Sequence, residues 1–156
     1  MYYLRGLVNF NDGSSFFDRI SGQDPSEGDP KALRDSFDAF KDLVTRFPES
    51  PYAEDSRARM RWLVNALANH EVHVARYYFR RGAYVAAINR AQTAVRDFDA
   101  APVLDEALAI MAFSYDKLGM KKEGDDARRV LTLNYPQSPF LIEGLRDPER
   151  KWWQFW

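Results

Sequence analysis

The 156 residues fit one compact domain, long enough to bury a core without metal or disulfide staples. Lys plus Arg number 22 against 23 Asp plus Glu, so no net field favours nucleic acid or an anionic membrane surface; cysteine is absent, which excludes thiol catalysis and Cys-ligated metal sites. No apolar run approaches the ~20 residues of a membrane span, and the N-terminus lacks the basic-then-apolar layout of a signal peptide. The expectation is a cytosolic chain or one whose targeting segment is missing.

Along the chain, "MYYLRGLVNF" reads as the end of a first helix whose partner begins only at Pro30. Residues 11–29, "NDGSSFFDRISGQDPSEGD", form the connection. Loops of that length are uncommon in compact domains and tend to be functional or mobile. Phe16, Phe17 and Ile20 stand inside it and are expected to fold back onto adjacent helices; a partner anchor is the other reading. Asp29 and Pro30 make a natural N-cap and first-turn pair. Leu33, Phe37, Phe40, Val44 and Phe47 then step by four and three, as one buried helix face requires. Tyr52, Ser56, Met60, Leu63 and Leu67 make a second stripe on a linking helix over 52–67. Leu104, Leu108, Met111, Tyr115 and Leu118 make a later one. No segment alternates with period two over a strand's length, so the fold class is all-α.

Punctuation recurs. "FPESPY", "FDAAPV" and "YPQSPF" place Pro51, Pro102 and Pro139 four residues after an aromatic, each a helix end followed by a Pro-led start. Gly82 and Gly119 stand 37 residues apart, each opening a turn between helices. The spacing predicts hairpins over 68–101 and 103–137, after a partial repeat over 1–51 and before a capping helix over 139–145, all in one repeat domain over 1–146. In "RGAYVAAINRAQTAVRDF", Ala86, Ala87, Ala91 and Ala94 take positions where larger side chains would bury more surface. Small residues let a neighbouring backbone come close, and the tetratricopeptide pattern puts them where hairpin helices cross and stack. An ordinary amphipathic bundle could use the same composition, but the repeated Gly and Pro spacing favours tetratricopeptide-like hairpins stacked into a short solenoid.

Catalytic chemistry finds little support. His70 and His73 sit three apart with Glu71 between them, one residue short of the zincin HExxH spacing, and further ligands would have to converge from elsewhere. Surface or groove histidines are the plainer reading. Phosphate loops, nucleophile elbows and acidic metal loops are missing from the sequence, so no enzyme, metal or cofactor is expected. "EGDDARR" at 123–129 reads as a solvated helix start, acids first and Arg128 and Arg129 further along.

The words "RGL", "FPESPYAEDSRARM", "LANHEVHVARYY" and "RGAYVAAINR" go beyond a generic repeat consensus. Over about residues 1–137 the chain resembles the outer-membrane protein assembly factor BamD, or ComL, family. The resemblance implies a non-enzymatic periplasmic lipoprotein of tetratricopeptide repeats in the machine that inserts β-barrels into the outer membrane. It further implies a C-terminal part beginning inside the third repeat. The first two repeats, the lipidated cysteine and thus the only membrane attachment would lie outside it. Its partners would be the POTRA domains of BamA and small accessory lipoproteins. A tetratricopeptide adaptor unrelated to barrel assembly and a metal-dependent enzyme using His70 and His73 are the competing readings. Arg90, Arg96 and Asp97, on the helix over 83–98, are the candidate contacts for BamA; the alternative is that they solvate the helix or tie adjacent repeats together.

The tail "RDPERKWWQFW" lies outside the repeat pattern. Asp147 and Pro148 can cap and start a short helix, and Glu149 suits its first turn. Trp152, Trp153, Phe155 and Trp156 are candidate protein-contact residues, too dense an apolar patch to stand in water. The chain's own last helices, a partner groove or a membrane interface could cover them.

Overall fold

The computed structural model describes residues 1–12 and 29–145, and among the described residues it contains helices and no strand. In chain order these are α1 (Tyr2–Asp12), α2 (Pro30–Arg46), α3 (Ala53–Arg80), α4 (Tyr84–Asp97), α5 (Leu104–Lys117), α6 (Lys121–Asn134) and α7 (Phe140–Glu143). From α1 to α6 each helix packs along the next, α3 also touches α5, and α7 sits on α5. Three antiparallel hairpins, α1–α2, α3–α4 and α5–α6, are thus stacked in the tetratricopeptide manner. The fold is all-α. Phe16, Phe17 and Ile20 lie outside the described residues.

Local chemistry sets the helix ends. The Asp29 carboxylate accepts from the Lys31 N–H at 2.9 Å, and Pro30 occupies the first turn, where its missing N–H is harmless. At the tight turns of the second and third hairpins the same device appears twice. Gly82 and Gly119 both take φ +75°, and the next N–H, of Ala83 or Met120, reaches back to the carbonyl of Tyr78 or Tyr115 at 3.0 or 2.9 Å. This left-handed cap satisfies helix-end carbonyls at no steric cost for glycine.

Three expectations are corrected. The stretch expected as a linking helix over 52–67 followed by a separate first helix of the hairpin 68–101 is a single helix, Ala53–Arg80. Nothing between Leu67 and Ala68 breaks it, and both side chains are buried. In α2 the buried positions are Leu33, Ser36, Ala39, Phe40 and Leu43, while Phe47 is exposed at the helix cap, with its ring 6.2 Å from that of Tyr2. The stripe rotates because α2 is covered on two sides, by α1 and by α3. Leu118 ends its stripe in solvent for a related reason, as it stands in the turn after α5.

The core is continuous across the hairpins. Ala68, Val72 and Ala75 of α3 meet Ala87, Ala91 and Ala94 of α4, then Leu104, Ala107 and Ile110 of α5. Ala86, by contrast, is only half-buried beside them. Leu33, Phe40, Leu63, Ala66 and Leu67 form the neighbouring cluster, with Tyr3, Phe10 and Trp62 against it. Gly124 is buried in α6; a Cβ there would meet Asp116 at 2.8 Å and the Ala112 carbonyl at 3.3 Å. The segment read as a solvated helix start therefore carries a close helix contact on its inner side.

Candidate protein-binding surface

Arg90 lies on α4, and its Nη1 donates to Oε2 of Glu71 on α3 at 3.1 Å. Glu71 has a side chain only 5 % exposed, and Arg34 of α2 approaches its other oxygen at 3.8 Å. One carboxylate thus receives two guanidiniums from different helices. Buried charge without such partners would be strongly unfavourable, so these contacts are what lets Glu71 remain inside. Sequence reasoning placed Glu71 only as the residue between two histidines. His73 points to solvent, and among the described residues no group of three or more His, Cys, Asp or Glu is placed to hold a metal.

Arg96 and Asp97 end α4. Nε of Arg96 donates to Asp97 Oδ1 at 2.7 Å, and Nη2 donates to Oδ2 at 3.2 Å. The Arg96 hydrogen bonds hold the Asp97 carboxyl below the ordinary carboxylate range, with the Arg96 and Arg34 charges acting the same way. Arg34 therefore feels both acids. Arg90, Glu71, Arg34, Asp97 and Arg96 form a row of alternating charge across α2, α3 and α4, three guanidiniums against two carboxylates. Beside it opens a shallow groove of about 400 Å³ lined by Arg34, Phe37, Val64, Leu67, Asp97 and Phe98. The structure brings together Arg90, Arg96 and Asp97 as one edge of this surface and adds Arg34 and Glu71. Trp152, Trp153, Phe155 and Trp156 lie outside the described residues.

A second ion pair, on the next seam, is half-buried. Arg76 of α3 is bidentate to Glu106 of α5, at 2.6 and 2.7 Å. It locks the stacking of two hairpins by the fork geometry that arginine favours. Arg128 of α6 pairs with Asp116 of α5 within the last hairpin. The Arg34 and Arg96 charges differ in being largely open to solvent while the acids they serve are shared.

Stacked hairpins joined by shared ion pairs and flanked by an open groove define an α-helical repeat protein of the tetratricopeptide kind. Residues 1–131 match the YfiO family, described as outer membrane lipoprotein. The chain is 48 % identical over 154 residues to the outer membrane protein assembly factor BamD of Neisseria meningitidis serogroup A, covering 99 % of this chain and 58 % of that protein. It is 38 % identical over 141 residues to the factor of the same name in Xylella fastidiosa strain Temecula1, covering 90 % of this chain and 48 % of the relative. The corresponding protein of Haemophilus influenzae is 32 % identical over 149 residues, 96 % of this chain and 57 % of the relative. The chain belongs to the BamD (YfiO) family, and it spans about half to three-fifths of the length of these relatives.

Proposed function

We propose that this chain is a non-enzymatic protein-binding scaffold of the β-barrel assembly machinery, the C-terminal part of a BamD-like lipoprotein. It docks the POTRA domains of BamA, and accessory lipoproteins, at the periplasmic face of the outer membrane. The observation that carries the reading is the charge row on the open groove. Three guanidiniums face two carboxylates there, and one of those carboxylates is buried and committed to the fold. The surplus positive charge suits an acidic patch on a partner domain, and arginine beside apolar groove walls is a favoured composition for interface centres. Arg96 would make the outer contact and Asp97 would fix its direction. Arg90, partly engaged by Glu71, would offer its remaining N–H groups.

Binding of purified POTRA domains to Arg96→Glu tests the proposal without disturbing the core, since among the described residues Arg96 pairs with its neighbour Asp97 alone, at the end of α4. The variant should keep the helical signal and lose affinity, with the larger loss at low salt, because rim charges act through screened attraction and association rate. Equal affinity of wild type and variant across salt would place the interface on another face.

A further inference from the structure

The charge row has no counterpart in the next seam, although the two seams match residue by residue. Phe47 and Phe98 cap α2 and α4 with nearly the same backbone, φ −136° and −135°, and stand 51 residues apart. Gly82 and Gly119 tie α3 and α4 to α5 and α6 at an interval of 37. By these intervals Arg34 falls on Val85, Glu71 on Leu108 and Arg90 on Ala127, while Arg96 and Asp97 fall on Leu133 and Asn134. Every charge of the row is replaced by an uncharged side chain. The groove walls keep their character, since Phe37 falls on Ile88 and Leu67 on Leu104. Leu108 and Ala127 are buried in the third hairpin, so a hairpin of this chain closes at those positions without ions.

The ion hub is therefore an addition to the packing. A buried carboxylate with its partners contributes no more stability than apolar side chains of similar volume, because desolvation offsets the attraction. What Glu71 supplies is direction. Its side chain is 5 % exposed and fixed in α3, whereas the arginines it holds are 59 % exposed for Arg34 and 46 % for Arg90. Each contact thus has a rigid buried end and an open end, and Arg34 also lines the groove. An arginine stem loose in water loses rotamer freedom when a ligand orders it, and one already tethered loses less. Arg90 gives Nη1 to Glu71 and has further N–H donors on the same guanidinium.

We propose that Glu71 is a positioning residue for partner binding: from inside the fold it holds the guanidiniums of Arg34 and Arg90 in a fixed orientation for a carboxylate that a partner brings to the groove. The identity of that partner rests on the proposed function. Glu71 lowers the positive charge of the seam by one, so by charge alone its removal would strengthen binding to an acidic surface. With Glu71 as a positioning residue, its removal weakens that binding.

The test replaces Glu71 by the residue that the next hairpin uses. Glu71→Leu should hold Tm within about 2 °C of wild type or raise it, because Leu108 fills the matching position and both arginines can turn to water. Its affinity for POTRA domains should fall about tenfold, as expected when two arginine side chains must be ordered on binding. Unchanged or tighter binding overturns the proposal, since Glu71 would then stand outside the interface or only neutralise charge. A fall in affinity with a Tm loss beyond that range marks a structural role and overturns it too. If Glu71→Leu does not fold, Glu71→Gln decides: it keeps the shape and one acceptor oxygen, and it should bind more weakly, with equal or tighter binding again overturning the proposal. A wild type that binds no POTRA domain defeats the proposed function alone, and the positioning role is then read from acetyl-Glu-Leu-Glu amide titrated against the isotope-labelled chain. The Nε–H resonances of Arg34 and Arg90 should move further in wild type than in Glu71→Leu; equal movement, or none, overturns the proposal.

Discussion

Around α2 the core is built from rings. Phe40 is wholly buried, with Tyr3 at 6.0 Å and Phe10 at 6.5 Å between ring centroids, and Trp62 lies 5.0 Å beyond Phe10. The backbone admits this bulk through Gly6, where a Cβ would fall 2.6 to 2.8 Å from the Phe40 ring, and the Ser36 hydroxyl donates to the Gly6 carbonyl at 2.9 Å. Around α4 the same crossing is made with Ala87, Ala91 and Ala94, all completely buried. One junction sets a large knob into a glycine slot; the other brings two smooth surfaces close. Close helix approach is thus a property that sequence can reach by opposite routes, and each route is vulnerable to a different substitution.

The largest effect should come from emptying the slot. Phe40→Ala should destabilise by about 3–5 kcal/mol, since the surrounding rings cannot all collapse into the space. Denaturant titration measures it, and a change under 1 kcal/mol would show that the ring cluster relaxes freely. Filling the smooth junction comes next. Ala91→Leu should destabilise by roughly 1–3 kcal/mol, because extra methylenes at a closed crossing force side chains off their rotamers. An unchanged melting midpoint would mean that α4 can slide away from α3, and that the alanine seam is looser than its burial implies.

The turn that joins α3 to α4 offers a smaller perturbation. No atom lies within 4 Å of a Cβ built on Gly82, so Gly82→Ala meets no clash and suffers only the left-handed backbone, worth roughly 1 kcal/mol. A loss well above 2 kcal/mol would point to strain passed into the alanine seam.

The smallest effect concerns protons at the aromatic end. The Tyr3 hydroxyl donates to Asp55 at 2.7 Å and Arg59 Nε donates to the same oxygen at 2.6 Å. The hydrogen bond from Arg59, then that from Tyr3, holds the Asp55 carboxyl below its usual 3.8; the bond to Asp55 pushes the Tyr3 phenol above its usual 10.0. The depressed carboxyl contributes stability that is present above pH 3.8 and is lost as pH falls through the lower folded value. The raised phenol contributes stability that is present below pH 10 and is lost as pH rises through the higher folded value. Tyr3→Phe should therefore flatten both limbs of a plot of Tm against pH. Parallel curves for wild type and variant would mean the hydroxyl is not engaged in solution.

What could be read from the sequence was local. Asp29 before Pro30, and Gly82 and Gly119 at hairpin spacing, act on backbone within a few residues, and their roles follow from residue type alone. Ala87 and Ala91 were legible because the repeat supplies the neighbour that a small side chain implies. Phe47 was misjudged because a period identifies a face without saying how many helices cover it. Glu71 was missed for another reason: its partners Arg34 and Arg90 come from α2 and α4, and a carboxylate between two histidines gives no sign of either. Gly124 carried a signal that went unread, since a glycine inside a helical pattern often marks a close approach. Arg90 and Arg96 were singled out from their place on one helix, while the row they belong to needs three.

The shared carboxylate has a consequence for how the chain unfolds. Hairpin arrays can come apart piecemeal, since each unit contacts only its neighbours. Glu71 is neutralised only while α2, α3 and α4 are all seated, and detaching either flanking helix strands part of a charge in a low-dielectric interior. Partly frayed states at that junction are disfavoured beyond the loss of their apolar contacts. The first two hairpins should melt as a single cooperative unit, and amide exchange in α2 and α4 should slow together.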